Sequence, residues 1–280
     1  MTWEEFQSEA LSRFSITCDH VVIAKLALYE EMLLEYNEKV NLTAHRTADA
    51  NREKNFLDSL AIAPVIRAHE TRNRKQQQIR QFESVFSVHP SPISQPILPP
   101  SPNLSSPNLP ISLLDLGTGA GFPGMILAII FPEINVTLMD SIAKKTAFLT
   151  RVKEALKLTN VTIITAHAGR TVAGPKPPRR FEERRVPFEP HITQNLEPKR
   201  YDRMYTIVVA RAVSSLSTLL PLMQPYVRRG GALIAMKGAN LPNEIKDYEA
   251  VFGPIGRHNI QTYLLPSDTT PRSLFVMRNE

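Results

Sequence analysis

The chain has 280 residues and a mass of 31.5 kDa; 42% of its side chains are hydrophobic and 21% are charged. This length allows one or two domains with a sizeable core, and the hydrophobic fraction excludes a wholly disordered chain. The longest hydrophobic run, residues 125–131, is far shorter than the roughly 18 to 20 residues of a membrane helix. We therefore expect no membrane-spanning segment.

The first residues carry three glutamates and lack the basic-then-apolar order of a secretory signal, so we expect a cytoplasmic protein. Cys18 is the only cysteine, which excludes an internal disulfide, a cysteine zinc site and two-cysteine redox chemistry. The histidines His45, His69 and His89 show no metal-ligand spacing. We expect them at the surface and expect no metal site.

The formal net charge of +6 favours a polyanionic partner, but most of it lies in two proline-rich segments. Residues 70–110 hold four basic and two acidic side chains, residues 171–200 hold seven and four, and the remaining 209 residues sum to only +1. The two segments contain 14 of the 23 prolines and almost no periodic apolar pattern, which indicates inserts. We predict an N-terminal helical subdomain at 1–69, an insert or linker at 70–110, and a second domain at 111–280 with a basic insert at 171–200.

The first elements in chain order are helical: Asp19 and Thr47 each precede a stretch with apolar residues at helical spacing. Short buried strands then alternate with helix-sized segments, with strands predicted at 111–116, 136–140, 161–165, 205–210 and 231–237. Residues 261–265 and 273–277 have no helix between them and predict an antiparallel hairpin at one edge. The fold class is therefore α/β, a doubly wound parallel sheet of the Rossmann-like kind with an N-terminal helical subdomain.

A glycine-rich loop, GTGAGFPG at residues 117–124, follows the first predicted strand. In a doubly wound sheet ligands bind at this edge, and glycines allow a sharp turn and a close approach of the backbone to a ligand. Asp140 comes 21 residues after Gly119 and ends the second strand, where a carboxylate can accept both hydroxyls of a ribose. Three glycines alone are weak evidence, but together with Asp140 they indicate a nucleoside-containing cofactor.

Two cofactors fit this loop. Residues 119–124 match G-x-G-x-x-G with an acidic residue about 20 positions on, the dinucleotide pattern, so an NAD-dependent oxidoreductase is one alternative. However, the turn glycine directly after the strand is Gly117, and from there Phe122 takes the place of the third glycine. The pattern D-x-G-x-G-x-G at 115–121 is instead typical of S-adenosylmethionine enzymes, whose cofactor has no pyrophosphate. We favour that cofactor, with Gly117, Gly119 and Gly121 lining it.

Further motifs carry a resemblance to a known family, and they cover nearly everything outside the two inserts. They are YNEKVNLTA at 36–44, FLDSL at 56–60, the glycine loop, LMDS at 138–141 with Lys144 and Lys145, Ala210-Arg211-Ala212, AMKG at 235–238 and RSLFV at 272–276. In this order the chain resembles the RsmG family of bacterial 16S rRNA guanine-N7 methyltransferases, formerly called glucose-inhibited division protein B. The resemblance implies S-adenosyl-L-methionine as cofactor and 16S rRNA or the small ribosomal subunit as partner. We expect a monomer.

The resemblance also assigns positions around the cofactor. Gly117 and Phe122 would line its methionine and sulfonium side, and Arg211 would reach the reaction centre. The adenosine side would be held by Asp140, Ser141, Ile142, Ala168 and Gly169. Three positions depart from the family pattern: Asn55 replaces a histidine, His167-Ala168-Gly169 replaces Arg-Ala-Glu, and Ser273 replaces a histidine. The departures at Asn55 and His167 keep open a second alternative, a methyltransferase-like protein that binds the cofactor or RNA without turnover.

The chemistry of the reaction narrows the candidate catalytic residues. Guanine N7 already carries a lone pair, so methyl transfer from a sulfonium needs positioning rather than a general base. Arg211 and Lys237 fall at the carboxyl ends of predicted strands. Our hypothesis is that one donates to guanine O6 and the other meets a phosphate. For Arg211, contact with the carboxylate of the cofactor is an equally weighted alternative.

Overall fold

The computed structural model describes residues 1–86, 110–167, 203–211 and 214–280. The strands in these residues are β1 (Ser112–Leu116), β2 (Asn135–Asp140), β3 (Val161–Thr165), β4 (Tyr205–Arg211), β5 (Val227–Lys237), β6 (His258–Tyr263) and β7 (Arg272–Arg278). They form one sheet in the order β3-β2-β1-β4-β5-β7-β6. β1 to β5 are parallel, and β7 pairs antiparallel with both β5 and β6. The predicted parallel sheet with an antiparallel hairpin at one edge is confirmed.

The helices of the described residues are α1 (Trp3–Phe14), α2 (His20–Asn37), α3 (Ala48–Asn51), α4 (Ala63–Phe86), α5 (Gly124–Ile130), α6 (Ala143–Ala155), α7 (Leu216–Met223) and α8 (Leu241–Phe252). A π-helical turn, Arg52–Leu57, and a 3-10 turn, Leu60–Ile62, connect α3 to α4. The side chains of Asp19 and Thr47 accept hydrogen bonds from the first turns of α2 and α3, as their positions predicted. None of these helices is both long and apolar enough to cross a membrane.

Helix α4 crosses the predicted boundary at residue 69 and continues to Phe86. Residues 70–86 belong to the predicted insert because they show almost no periodic apolar pattern, but they contain no proline and many strong helix formers, including arginine, lysine and glutamine. A helix that starts at the buried residues Ala63, Val65 and Ile66 therefore continues through them. The prolines of this insert begin at Pro90, outside the described residues.

The order of the strands places a crevice at one edge of the sheet. β1 lies between β2 and β4, and its Leu113 is aligned with Val136 on one side and Ile207 on the other. The chain winds outward from β1 to β3 and then returns past β1 to continue at β4. Such a reversal leaves a crevice beyond the carboxyl ends of β1 and β4, where open α/β sheets bind ligands. The glycine loop and Arg211 both lie at this crevice.

The N-terminal helices share a continuous core with one face of the sheet and with α5 and α6, while α7 and α8 cover the other face. Tyr29 of α2 is fully buried at the centre of this packing. Its ring stacks on Phe56 with centroids 5.4 Å apart and lies 5.8 Å from the ring of Phe122. Its hydroxyl donates to the carbonyl of Ala120 in the glycine loop. The helical segment therefore supports the back of that loop directly.

Two glycines with positive φ allow a test of this packing. A Cβ at Gly121 (φ +109°) would lie 2.6 Å from the Tyr29 hydroxyl and 2.9 Å from a methyl of Leu149, whereas a Cβ at Gly253 (φ +79°) would meet nothing within 4 Å. Gly253 has a ψ of −176°, a conformation that residues other than glycine rarely adopt, so we expect Gly253→Ala to cost about 1 to 3 kcal/mol of backbone strain. We expect Gly121→Ala to cost roughly 2 kcal/mol more because overpacking is added. Urea unfolding measures both, and equal losses would contradict the packing of Tyr29 on the loop.

Candidate active site

A cavity of about 810 Å³ opens at the carboxyl edge of the sheet. Of the predicted site residues it is lined by Gly117, Gly119, Phe122, Arg211 and Lys237. Residues 42–45 and the segment 268–272 before and at the start of β7 complete its wall. The structure thus brings the glycine loop, the ends of β4 and β5, and the N-terminal segment around one space.

The glycine loop has one face toward this cavity and one toward the core. The backbone N–H groups of Gly117 and Thr118 donate to the Met139 carbonyl at 2.8 and 3.0 Å, which fixes the loop on the end of β2. Gly119 has a φ of +62°, and a Cβ there would meet only the Gly117 carbonyl oxygen at 4.0 Å, so its cavity side is open. Gly121 instead packs against Tyr29. Its predicted role is therefore supported only indirectly, through the shape of the loop.

Asp140 joins the glycine loop to the end of β2. One carboxylate oxygen accepts from the Gly119 N–H at 2.8 Å, and the other accepts from the Ile142 N–H at 2.9 Å. Ser141 is exposed and the side chain of Ile142 is 47% exposed. Each carboxylate oxygen can accept a second hydrogen bond. Asp140 therefore remains the predicted ribose acceptor, with an exposed apolar side chain beside it; Ala168 and Gly169 lie outside the described residues.

Asp115 holds the other end of the glycine loop from inside the sheet. One of its oxygens accepts from the Thr118 hydroxyl at 2.6 Å and from the Gly124 N–H at 2.8 Å. The other oxygen, Oδ1, is buried and has no hydrogen-bond partner among the described residues. Burial raises the pKa of this carboxyl to about 6, although the two hydrogen bonds oppose the change.

Arg211, at the end of β4, is held by groups of the N-terminal segment. Its guanidinium donates to the Lys54 carbonyl at 3.1 Å, to the Asp58 carboxylate at 3.1 Å and to the Asn55 side-chain oxygen at 2.8 Å. It also lies 5.1 Å from the centre of the Phe122 ring, a cation–π contact. Three of its five N–H groups are used in this way, so two remain for a ligand.

The position of Arg211 depends on Asp58, a residue for which the sequence alone predicts no role. Its side chain is only 2% exposed, and besides Arg211 it accepts from the Tyr263 hydroxyl at 2.7 Å and pairs with Arg272 at 3.2 Å. The signal in the sequence is a charged residue inside the apolar run FLDSL. A carboxylate buried in such a run needs positively charged or hydrogen-bonding partners. The partners themselves are about 150 to 215 residues away in the chain, beyond the reach of local patterns.

Lys237 ends β5 and is nearly buried, with 6% of its side chain exposed. Its ammonium lies 2.7 Å from the Glu244 carboxylate and donates to the Ser214 carbonyl. Glu244 also accepts from the Leu216 N–H at 2.9 Å, so this carboxylate connects the start of α7 to α8. One of the three N–H groups of Lys237 has no partner among the described residues, and Lys237 lines the cavity.

Every lysine and arginine that lines the cavity has an acidic partner. The pairs are Lys54 with Glu53 and Asp268, Arg211 with Asp58, Arg272 with Asp58 and Asp268, and Lys237 with Glu244. His45, half-buried in the same wall, has its pKa lowered by burial and then by the charges of Arg211, Arg272 and Lys54. These effects outweigh the nearby Asp58 carboxylate and favour the neutral imidazole. No cluster of acidic, histidine or cysteine side chains in the described ranges is suited to a metal.

A doubly wound sheet with this strand order, a glycine loop after β1 and a carboxylate ending β2 defines a class I S-adenosylmethionine-dependent methyltransferase. The family model of rRNA small subunit methyltransferase G (GidB) matches residues 101–179. A ribosomal RNA small subunit methyltransferase G from Acetivibrio thermocellus is 32% identical, covering 96% of this chain and 86% of that protein. Proteins of the same name from Lactococcus lactis and Bacillus subtilis are 30% and 28% identical, covering 95% and 99% of this chain and 87% and 90% of their own lengths.

The chain therefore belongs to the ribosomal RNA small subunit methyltransferase G family, and the resemblance given by its motifs is confirmed. Among solved structures it is similar to a predicted O-methyltransferase from Agrobacterium tumefaciens, 18% identical, with a TM-score of 0.43 over 59% of this chain and 72% of that one. So distant a likeness adds nothing to the strand order described above.

The buried carboxyl of Asp115 gives a testable dependence of stability on pH. Its pKa is about 6 in the folded chain and about 3.9 in an unfolded one, so the folded state binds the proton more tightly. Its stabilising contribution is complete below about pH 4 and is lost as the pH rises through 6, about 3 kcal/mol in all. Asp115→Asn, which cannot ionise, should gain stability relative to wild type between pH 4 and pH 7 without cofactor. Urea unfolding at both pH values checks this, and a constant difference would refute it.

Proposed function

We propose that this chain transfers the methyl group of S-adenosyl-L-methionine to N7 of a guanine in small-subunit (16S) ribosomal RNA. The family membership supports the substrate class, because the relatives are named for small-subunit ribosomal RNA. The observation that carries the proposal is the cavity itself. It joins the open face of Gly119 to Arg211, which is held over Phe122 with two N–H groups left for a ligand.

The described residues fit this cofactor in three places. The cavity side of Gly119 has no neighbouring side chain to exclude a ligand. Asp115 Oδ1 is a buried acceptor that lacks a donor among the described residues, and an ammonium-bearing ligand can supply one. Ile142 presents an exposed apolar side chain beside Asp140, suited to the face of a purine. When bound, the cofactor supplies a methyl group on a positively charged sulfur.

The residues of the chain divide around that ligand as follows. Gly117, Gly119 and Phe122 would hold the methionine side, and Asp140 with Ser141 and Ile142 would hold the adenosine side. Gly121 would contribute by allowing Tyr29 to close the back of the loop. For Ala168 and Gly169 the proposed contact with the adenine rests on the family resemblance alone.

Methylation at N7 requires the guanine to be held with its lone pair in line with the methyl group, because no proton has to be removed first. The two free N–H groups of Arg211 can donate to guanine O6, as arginine commonly does in nucleic-acid recognition. The remaining N–H of Lys237 can meet a phosphate. The base becomes positively charged as it is methylated, and the acidic partners Asp58 and Glu244 offset the two cations nearby. Neutral His45 adds no opposing charge.

The altered positions Asn55 and His167 are the reason for the alternative of a non-catalytic binding protein. Asn55 accepts from Arg211 at 2.8 Å and donates to Thr43 and Asn51 at 3.1 and 2.7 Å, so it helps to orient Arg211. This contact favours a catalytic protein. We expect the enzyme to act as a monomer in the cytoplasm.

A methyl-transfer assay tests the function. Purified protein is incubated with labelled S-adenosylmethionine and either small ribosomal subunits or protein-free 16S rRNA, and the RNA is digested to nucleosides. We expect label in N7-methylguanosine. Gly119→Ala should bind the cofactor at least tenfold more weakly because its methyl group enters the open face, whereas Gly253→Ala, which also adds a side chain at positive φ but does not line the cavity, should not. Cofactor binding without any transfer would support the non-catalytic alternative, and binding of a nicotinamide cofactor instead would support an oxidoreductase.

Substitutions of Arg211 and Lys237 separate contact with substrate from contact with cofactor. If Arg211 holds guanine, Arg211→Lys should lower the turnover about 100-fold, since the planar fork is lost while the charge is kept. The cofactor Kd, measured by calorimetry, should change by less than about threefold on this account. Lys237→Ala should reduce turnover less, about tenfold, as expected for one phosphate contact. A matching loss of cofactor affinity in the Arg211 variant would indicate contact with the cofactor carboxylate, and unchanged turnover in both variants would exclude these roles.

A further inference from the structure

A second concave surface lies at the opposite edge of the sheet. It is a cavity of about 670 Å³ where the start of β5, the start of β6 and the end of β7 meet the flank of α4. We call it the arginine groove, because Arg72, Arg229, Arg257 and Arg278 line it, together with the single carboxylate side chain of Glu280. None of these residues belongs to the active site described above.

The arginines of this groove differ from those of the active site in having few partners. Arg257 and Glu280 form one exposed pair at 3.7 Å. Within the described part of the chain, the side chains of Arg72, Arg229 and Arg278 have no ion pair and no hydrogen bond. Four guanidinium groups outnumber the acidic groups of Glu280, so this concave surface is positive.

A buried histidine next to the groove is consistent with its positive charge. His69 is buried, against the sequence expectation, and its pKa falls to about 4 through burial and then through the charges of Arg278, Arg228 and Arg72. Arg228 is itself half-buried, and burial lowers its pKa. The charges that act on His69 are therefore those of arginines in and beside the groove.

The backbone beneath the groove is firmly held. The Gly230 N–H donates to the Asn279 carbonyl at 2.6 Å, and the Asn279 N–H donates to the Gly231 carbonyl at 3.0 Å. The Asn279 side chain donates to the carbonyls of Val227 and Arg228 at 3.1 and 3.2 Å. Arg229 and Arg278 thus extend from a well-held junction between β5 and the end of β7, which keeps their backbone positions close together.

We infer that the arginine groove binds the phosphodiester backbone of the ribosomal RNA substrate, away from the guanine that is methylated. This inference rests on the proposed function, which brings RNA to the chain. Arginine pairs with phosphate through two parallel N–H groups. Asn259 and Gln261 of β6 line the same cavity and offer amides for ribose hydroxyls. A concave, polar surface favours a strand of backbone over a flat bilayer.

The fold sets the distance between the groove and the reacting base. Arg278 of the groove is aligned with Ala232, which lies five residues before Lys237 on the regular part of β5, about 17 Å along an extended strand. At roughly 3.4 Å per base pair this corresponds to about five base pairs of duplex. A guanine in the active site and a phosphate in the groove must therefore belong to parts of the RNA separated by at least this length, and a short fragment cannot reach both.

The test compares two triple variants that each remove three positive charges from exposed side chains. The groove variant is Arg72→Gln, Arg229→Gln and Arg278→Gln, and the control is Arg151→Gln, Lys157→Gln and Lys246→Gln. Affinity for protein-free small-subunit RNA is measured by filter binding over a range of salt. For the groove variant we expect a Kd at least tenfold higher and a salt slope lower by about 2 to 3, as for two or three lost phosphate contacts. The control should change by less than threefold.

Two further measurements make the result specific. The groove variant should keep its affinity for S-adenosylmethionine. It should also keep its affinity for an RNA fragment that is centred on the methylated guanine and is too short to reach from the active site to the arginine groove. Equal losses in both triple variants, an equal loss on the short fragment, or a loss of binding to anionic vesicles without a loss on RNA would each overturn the inference. Groove-dependent RNA binding by a wild-type protein that transfers no methyl group would support the groove while contradicting the proposed reaction.

Discussion

The whole site depends on two aspartates that clamp the glycine loop. Asp115 holds the loop from within β1 through Thr118 and Gly124, and Asp140 holds it from β2 through Gly119. Because these bonds fix the backbone, Gly119 keeps its left-handed conformation and an open face toward the cavity. Tyr29 closes the other side of the loop, so the N-terminal helices are part of the site and not an accessory to it.

The distribution of charge separates chemistry from substrate binding. Around the active-site cavity each lysine and arginine is paired with a carboxylate, which limits the repulsion felt by a base that gains positive charge. Such paired cations contribute little attraction for a polyanion. At the far edge of the sheet the arginines are mostly unpaired. If RNA binds there, these remote contacts supply affinity for the polyanion. The reaction centre cannot supply it, because unpaired cations there would repel the base as it becomes positively charged.

Local patterns were sufficient for the sheet, the edge hairpin, the helix starts at Asp19 and Thr47, and the glycine loop with Asp140, since each is a signal within about 25 residues. The anchoring of Arg211 by Asp58 joins residues 153 positions apart, and no periodicity reports it. The arginine groove collects Arg72, Arg229 and Arg278 from α4, β5 and β7, and Arg257 from the loop before β6, so charges summed over segments of the sequence do not reveal it. The end of α4 was missed because a polar helix and a polar loop have similar compositions.

Asn55 shows how a departure from the family pattern can preserve a site. An amide oxygen accepts from Arg211 while the amide nitrogen donates to Thr43 and Asn51, so both ends are satisfied in a buried position. A histidine could accept through one ring nitrogen only while neutral, and its protonation would place a cation against Arg211. The amide carries no such charge at any pH. Orientation of Arg211 by Asn55 is therefore independent of pH, and any pH dependence of turnover must arise in other groups.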